Sequence, residues 1–191
     1  MNYNLQGLRV LVVDDNAHVR TLLRTILYAL GIRDIDVAED GMSGFEAYIR
    51  LEYDIIITDL EMRPLSGIEF VDLVRTSRKS PNPYIPVIMV TGFTDRERVE
   101  KARDHGVTEF IAKPFTVESL LTRLTAIIEQ PRQFIRTANY FGPDRRRHVD
   151  ASYAGPERRK TDADLIEPEI RISLEDDGIS VKKRPEPTDP L

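Results

Sequence analysis

The chain contains no cysteine, which excludes a disulfide framework, a zinc ribbon and thiol chemistry. No apolar run approaches the ~18 residues that a bilayer span needs, so no membrane insertion is expected. The first residues, Met1 to Asp15, lack the charged start, apolar stretch and small-residue cleavage site of a secretory signal. A soluble, cytoplasmic protein is expected. There is no Gly-x4-Gly-Lys-Ser/Thr phosphate loop, so nucleotide hydrolysis of that kind has no support. A strong basic excess is also missing. The net charge is −5 over 191 residues, and it is segmental: −5 for residues 1–130, +4 for 131–163 and −4 for 164–191. A mildly acidic body argues against a DNA-specific domain, which would be basic on one face.

What is present is an alternation of strand and helix signals up to about Gln130. Val10-Leu11-Val12-Val13, Ile55-Ile56-Ile57 and Val87-Ile88-Met89-Val90 are continuous β-rich runs, as expected for strands covered on both faces. Ile35 and Val37 alternate with polar residues and suit an edge strand. Phe110-Ile111 is a shorter fifth run. Leu22, Leu23, Ile26, Leu27 and Leu30 share one helical face, stopped by Gly31. Val117, Leu120, Leu121, Leu124, Ile127 and Ile128 share another, ended by Pro131. The segment from Thr94 to Asp104 is far more polar, with Val99 and Ala102 as its apolar anchors, and is expected to be weakly attached.

Five such alternations predict an α/β fold: a doubly wound, five-stranded parallel sheet in the flavodoxin-like order 2-1-3-4-5. Strands 1 and 3 are then neighbours at the switch point, where such sheets bind ligands at their carboxyl edge. Four stretches end on that edge: Val12-Val13-Asp14-Asp15, Thr58-Asp59-Leu60-Glu61-Met62, Val90-Thr91-Gly92 and Ala112-Lys113-Pro114. Singly, each acid or hydroxyl could be a helix cap and Lys113 a turn residue. Together they make a cation-and-phosphate site. Three clustered carboxylates call for a cation, and hard oxygen ligands favour Mg²⁺. Asp59 is then the carboxylate nucleophile toward phosphorus, with Thr91 and Lys113 binding the phosphoryl oxygens.

On these residues, residues 7–130 resemble the receiver domains of bacterial two-component response regulators. The spacing from Thr91 to Lys113, Gly67 beyond Asp59, and Pro114 after Lys113 also fit. The resemblance implies a (βα)5 receiver with Asp59 as phosphoacceptor. Asp14, Asp15, Asp59 and the backbone carbonyl of Glu61 would be the Mg²⁺ ligands. It implies Thr91, Lys113 and Phe110 as phosphate-binding and switch residues, and a Lys113–Pro114 bond that is typically cis. Phosphorylation would reshape the face of the fourth helix, fifth strand and fifth helix. The donor would be a sensor histidine kinase or phosphotransfer protein, and the reader an unidentified protein target. Two departures are visible. Arg63 stands where receivers usually have Pro, which follows as Pro64, and Glu61 adds an acid beside the pocket. A true phosphohydrolase is disfavoured, because the Asp-x-Asp nucleophile signature is absent at Asp59-Leu60-Glu61. The expected activity is a switch rather than an enzyme.

Beyond Pro131 the character changes. Residues 131–163 read as a basic tail with a doubled motif. Phe141-Gly142-Pro143-Asp144-Arg145-Arg146-Arg147 is echoed by Gly155-Pro156-Glu157-Arg158-Arg159-Lys160. Arginine forks suit anions, so Arg145, Arg146, Arg147, Arg158, Arg159 and Lys160 are candidate anion-binding residues. A loose similarity to receivers with arginine-rich extensions implies cyclic di-GMP as one ligand, with RNA or a protein as others. The alternative function is thus a phosphorylation-independent scaffold acting through this tail. No helix-turn-helix or catalytic pattern follows Gln130. Residues 164–191 are acidic and Pro-containing and are expected to be largely disordered, apart from a strand-like alternation over Glu169–Leu174.

Overall fold

The computed structural model describes residues 5–92, 96–137 and 140–144, and the backbone of three short strands further on. Five strands, β1 (Arg9–Val13), β2 (Asp34–Ala38), β3 (Ile55–Asp59), β4 (Val87–Thr91) and β5 (Glu109–Ala112), form one parallel sheet in the order β2-β1-β3-β4-β5. The helices are α1 (Ala17–Ala29), α2 (Gly41–Arg50), α3 (Gly67–Thr76), α4 (Arg96–Asp104) and α5 (Val117–Glu129). The predicted topology is therefore the observed one.

Strand alternation splits the core in two. Val10, Val12, Ile55, Ile57, Ile88 and Val90 pack with Leu23 and Leu27 of α1 and Leu120 and Leu124 of α5. Leu11, Val13, Ile56, Val87 and Met89 pack with Phe45 and Tyr48 of α2, Phe70, Val71 and Val74 of α3, and Ala102 of α4. Every residue of β3 and β4 is buried, whereas β2, at the edge, leaves Val37 exposed. The helix starts are fixed locally: Asp40, Ser66 and Thr116 each close a capping box, at α2, α3 and α5. After α1, Gly31 takes φ +97°, the left-handed conformation that lets a helix stop and the chain turn back.

Folded structure continues beyond Gln130. A hairpin of β6 (Phe134–Thr137) and β7 (Tyr140–Pro143) follows α5, with Phe134 paired to Pro143 and Ile135 to Gly142. Phe134, Ile135, Gly142 and Pro143 are buried. The first copy of the Gly-Pro-Arg motif, placed by sequence in a basic tail, thus begins inside a packed hairpin. Farther on, β8 (Asp164–Ile166) pairs with β6, and β9 (Ile172–Glu175) pairs antiparallel with β10 (Gly178–Val181). Of the strand-like stretch Glu169–Leu174, residues 169–171 lie outside the described residues, and from Ile172 it is strand β9, paired with β10.

The hairpin is seated on a buried arginine. Arg75, on α3, donates from Nε and Nη2 to the Gly106 carbonyl (3.1 and 2.9 Å). Its Nη1 donates to the carbonyls of Pro83 and Ile85, both at 2.7 Å. Its guanidinium carbon lies 5.2 Å from the Phe134 ring centroid, a cation–π contact. Burial pulls the guanidinium down to about 10, so it remains charged at neutral pH. Tyr84, Phe134 and Phe141 complete the seat with ring centroids 5.3–5.8 Å apart. Arg123 and Arg132 flank buried Glu109 at 3.4 and 3.3 Å, tying α5 and the approach to the hairpin onto β5.

Candidate phosphoryl and metal site

Parallel pairing puts the functional side chains on one edge of the sheet. Val13 at the end of β1 is in register with Thr58 of β3, Asp59 with Val90 of β4, and Thr91 with Ala112 of β5. Asp14, Asp59, Thr91 and Lys113 therefore all stand at strand carboxyl ends. The carboxylate oxygens of Asp14, Asp15 and Asp59 lie within 4.8 Å of one another. The Lys113 ammonium donates to Asp59 Oδ1 at 2.9 Å and to Asp14 Oδ2 at 3.1 Å. Its backbone N–H donates to the Thr91 carbonyl at 2.7 Å. Asp14, Asp59 and Thr91 are buried, and Asp15 is exposed. The site thus holds one exposed carboxylate beside two buried ones, which share the half-buried Lys113 ammonium.

The simple capping role does not describe these acids. The cap of α1 is Asn16, whose side chain accepts from the N–H groups of His18 and Val19. Asp14 Oδ1 instead accepts from Asn16 N–H at 2.8 Å, and Arg20 donates to the Asp14 carbonyl at 2.6 Å. Sequence reading had not singled out Arg20. Its position five residues past Asp15, one turn into a helix that starts at the acids, was the available signal. Ser66, not Asp59, caps α3.

Electrostatics set the resting state. Burial, the largest influence, pushes the Asp59 carboxyl above its ordinary 3.8. The Lys113 hydrogen bond and charge oppose that rise, and nearby Asp14 adds to it. For Lys113, burial alone favours the neutral amine. The hydrogen bond to Asp59 and the charges of Asp59 and Asp14 outweigh it and hold the ammonium above its ordinary 10.5. A carboxyl raised in the fold adds stability below its unfolded pKa and loses that contribution as pH rises through the folded one. Ionised Asp59 is therefore a net cost to the metal-free domain at neutral pH. Asp59→Asn should melt above wild type at pH 7 in chelator, and the gap should vanish below about pH 4. Thermal unfolding across that range checks it, and a lower melting temperature for Asp59→Asn at pH 7 would contradict it.

Phe110 is half-buried and packs on the α2–α4 side of the sheet. It lies two residues before Ala112, the register partner of Thr91, so Phe110 and Thr91 share that face. Glu61 is exposed on the β3–α3 loop. Lys113–Pro114 is cis, as the resemblance implies, and so is Arg63–Pro64. Arg145, Arg146, Arg147, Arg158, Arg159 and Lys160 lie outside the described residues.

The family model for the response regulator receiver domain matches residues 10–125. The chain belongs to the response regulator receiver family. Among its relatives, the chemotaxis protein CheY-3 of Vibrio cholerae is 29% identical over 125 residues, covering 65% of this chain and 95% of that protein. The solved structure of Vibrio cholerae CheY4 is 30% identical with a TM-score of 0.58, covering 63% of this chain and 98% of that one. The receiver domain of the Pseudomonas aeruginosa sensor kinase PA1611 is 26% identical with a TM-score of 0.56, covering 62% and 95%; its active-site cleft coordinates a magnesium ion. Each of the three covers roughly two thirds of this chain. Receivers act as signalling switches in two-component systems, and among the described residues no helix is long and apolar enough to cross a membrane.

Proposed function

We propose that this chain is a phosphorylation switch that accepts a phosphoryl group on Asp59 and passes the change to protein partners. The observation that carries the reading is the joint placement of Asp14, Asp15 and Asp59 within 4.8 Å, with the Lys113 ammonium between two of them. A divalent cation fits this donor set, since three converging carboxylate oxygens are the hard ligands that Mg²⁺ takes. Asp14, Asp15, Asp59 and the Glu61 carbonyl would hold it, and it would supply charge neutralisation at the transferring group.

The chain's own groups do the rest. A carboxylate oxygen of Asp59 attacks phosphorus, and the bond from phosphorus to the donor's leaving group breaks with its electron pair staying on that group. An acyl phosphate forms on Asp59. Lys113 turns from its carboxylate partners to a phosphoryl oxygen, and the Thr91 hydroxyl binds another. Phe110, on the same sheet face as Thr91, follows. The surface of α4, β5 and α5 is then read by a target, and the donor is a sensor histidine kinase or phosphotransfer protein.

Charge-assisted contacts supply the driving energy. Inverting a 1:99 population needs ~5.5 kcal/mol, within reach of one ammonium, one hydroxyl and one cation acting on the same group. Calorimetric Mg²⁺ titration tests the metal half of this reading. Wild type should bind, and Asp15→Asn and Asp59→Asn should each weaken binding roughly tenfold or more, consistent with the loss of a charged ligand. Equal affinity in all three would contradict the assignment.

A further inference from the structure

The two residues that would grip the phosphoryl group are the ends of one excursion of the chain. From Thr91 the backbone runs through α4, turns at His105–Thr108 and returns along β5 to Lys113, whose N–H closes the loop on the Thr91 carbonyl. The far end of that excursion is Gly106. It has φ +91°, a conformation that glycine alone adopts without strain. Its carbonyl accepts two hydrogen bonds from Arg75.

The β6–β7 hairpin sits on this same turn. A Cβ on Gly142 would stand 2.8 Å from Gly106 Cα, and one on Gly106 would stand 3.2 Å from the Phe141 carbonyl oxygen. Hairpin backbone and turn backbone are therefore close-packed, with the Tyr140 hydroxyl beside Gly142 and Arg75 Nε beside Gly106. The second support of the hairpin, Tyr84, belongs to the loop between α3 and β4. The hairpin thus straddles two joints: one continuous with α3, the other with α4. Of these two helices, α4 buries the fewer apolar side chains among the described residues. Ala102 is its buried apolar residue, Val99 is half-buried, and beyond its last turn His105 Nδ1 meets Asp72 Oδ1 of α3 at 2.7 Å.

We propose that the β6–β7 hairpin is a second readout of the switch, coupled to the phosphoryl site through Gly106. The proposal rests on the reading of Asp59 as phosphoacceptor. A shift of α4 and β5 displaces one of the hairpin's two supports and leaves the other in place, so the two states of the site differ in how well the hairpin is seated. A ligand shifts an equilibrium only through such a difference. The arginine run Arg145-Arg146-Arg147 begins two residues after Pro143, so the hairpin is the described element that adjoins it in the chain. The matched family region ends at residue 125, before this hairpin begins.

Hydrogen exchange on the full chain tests the coupling, with Mg²⁺ and beryllofluoride as a reversible phosphoryl analogue. Saturation of the site should change exchange of the amides of residues 134–137 and 140–142 at least about fivefold, the lower end of ordinary coupling. Reciprocity requires that unseating the hairpin change beryllofluoride affinity by a comparable factor. Gly142→Ala, which drives a Cβ into Gly106, should therefore shift that affinity. Phe134→Leu serves the same purpose, should Gly142→Ala lose its native circular dichroism. Exchange that changes around Asp59 and Lys113 but not in the hairpin overturns the coupling and leaves the phosphoacceptor reading intact. No change at either place overturns both.

Discussion

Gly67→Ala is expected to destabilise the fold by about 3 kcal/mol and to slow phosphoryl acceptance about a hundredfold. Gly67 opens α3 and donates its N–H to the Leu60 carbonyl at 3.0 Å. A Cβ there would overlap the carbonyl oxygen of Asp59, with the Asp59 carbonyl carbon at 3.0 Å and Leu60 Cα at 3.2 Å. All three are backbone atoms, so no rotamer change relieves the clash. Either the start of α3 or the backbone of the nucleophile must move. Moving the helix start disturbs the capping box formed by Ser66 and Glu69. Moving the backbone misplaces Asp59 relative to Lys113 and the acid pair. Urea unfolding and the rate of mass gain with a small phosphodonor would measure the two effects. A variant as stable and as fast as wild type would show that the β3–α3 loop has slack that this packing denies.

Arg75→Met should lower stability by about 3 kcal/mol while leaving the phosphoryl site able to react in the folded fraction. Two effects compete at this position. Burying a guanidinium is costly, and replacing a buried ion by an apolar chain of similar length can be neutral or stabilising when its partners leave with it. Here the partners stay. The carbonyls of Gly106, Ile85 and Pro83 would lose four hydrogen bonds from one cation, and Gly106 and Ile85 are buried. Each buried carbonyl left without a donor costs about 1–3 kcal/mol, and the Phe134 ring loses its cation. The unsatisfied carbonyls should dominate. A denaturation midpoint within error of wild type would mean that water reaches these carbonyls.

Both predictions turn on contacts of very different legibility in sequence. The apolar runs of β1, β3 and β4 announce strands buried on two faces. The terminal residues Asp14, Asp59, Thr91 and Lys113 declare the site because an open parallel sheet has a single carboxyl edge. Gly67 is visible as a spacing, and its reason emerges only in three dimensions, where a Cβ would meet the Asp59 carbonyl. The hairpin is the main feature that sequence reading missed. Phe134 and Ile135 are two apolar residues in a stretch shared with Arg132, Gln133 and Arg136, too short for a periodic signal. Their anchor, Arg75, reads as an ordinary charge in the last turn of α3. Only the fold brings it under Phe134 and against Gly106. Tyr84, Phe134 and Phe141 are separated by up to 57 positions, and nothing local links them.

The polar character of α4 was also legible. A helix holding one buried alanine and one half-buried valine has little apolar area to fix it. Glu109 was not legible. A carboxylate on a five-strand edge would ordinarily face solvent, yet this one is buried because α5 and the segment after it deliver Arg123 and Arg132 to it.

The most direct test of the central claim is intact-mass analysis of wild type and Asp59→Asn after incubation with Mg²⁺ and acetyl phosphate, under conditions that preserve acyl phosphates. The account predicts a gain of one phosphoryl group by wild type, its loss when chelator replaces Mg²⁺, and no gain by Asp59→Asn. Equal incorporation by the variant, or none by wild type even with phosphorylated histidine kinases as donors, would contradict it.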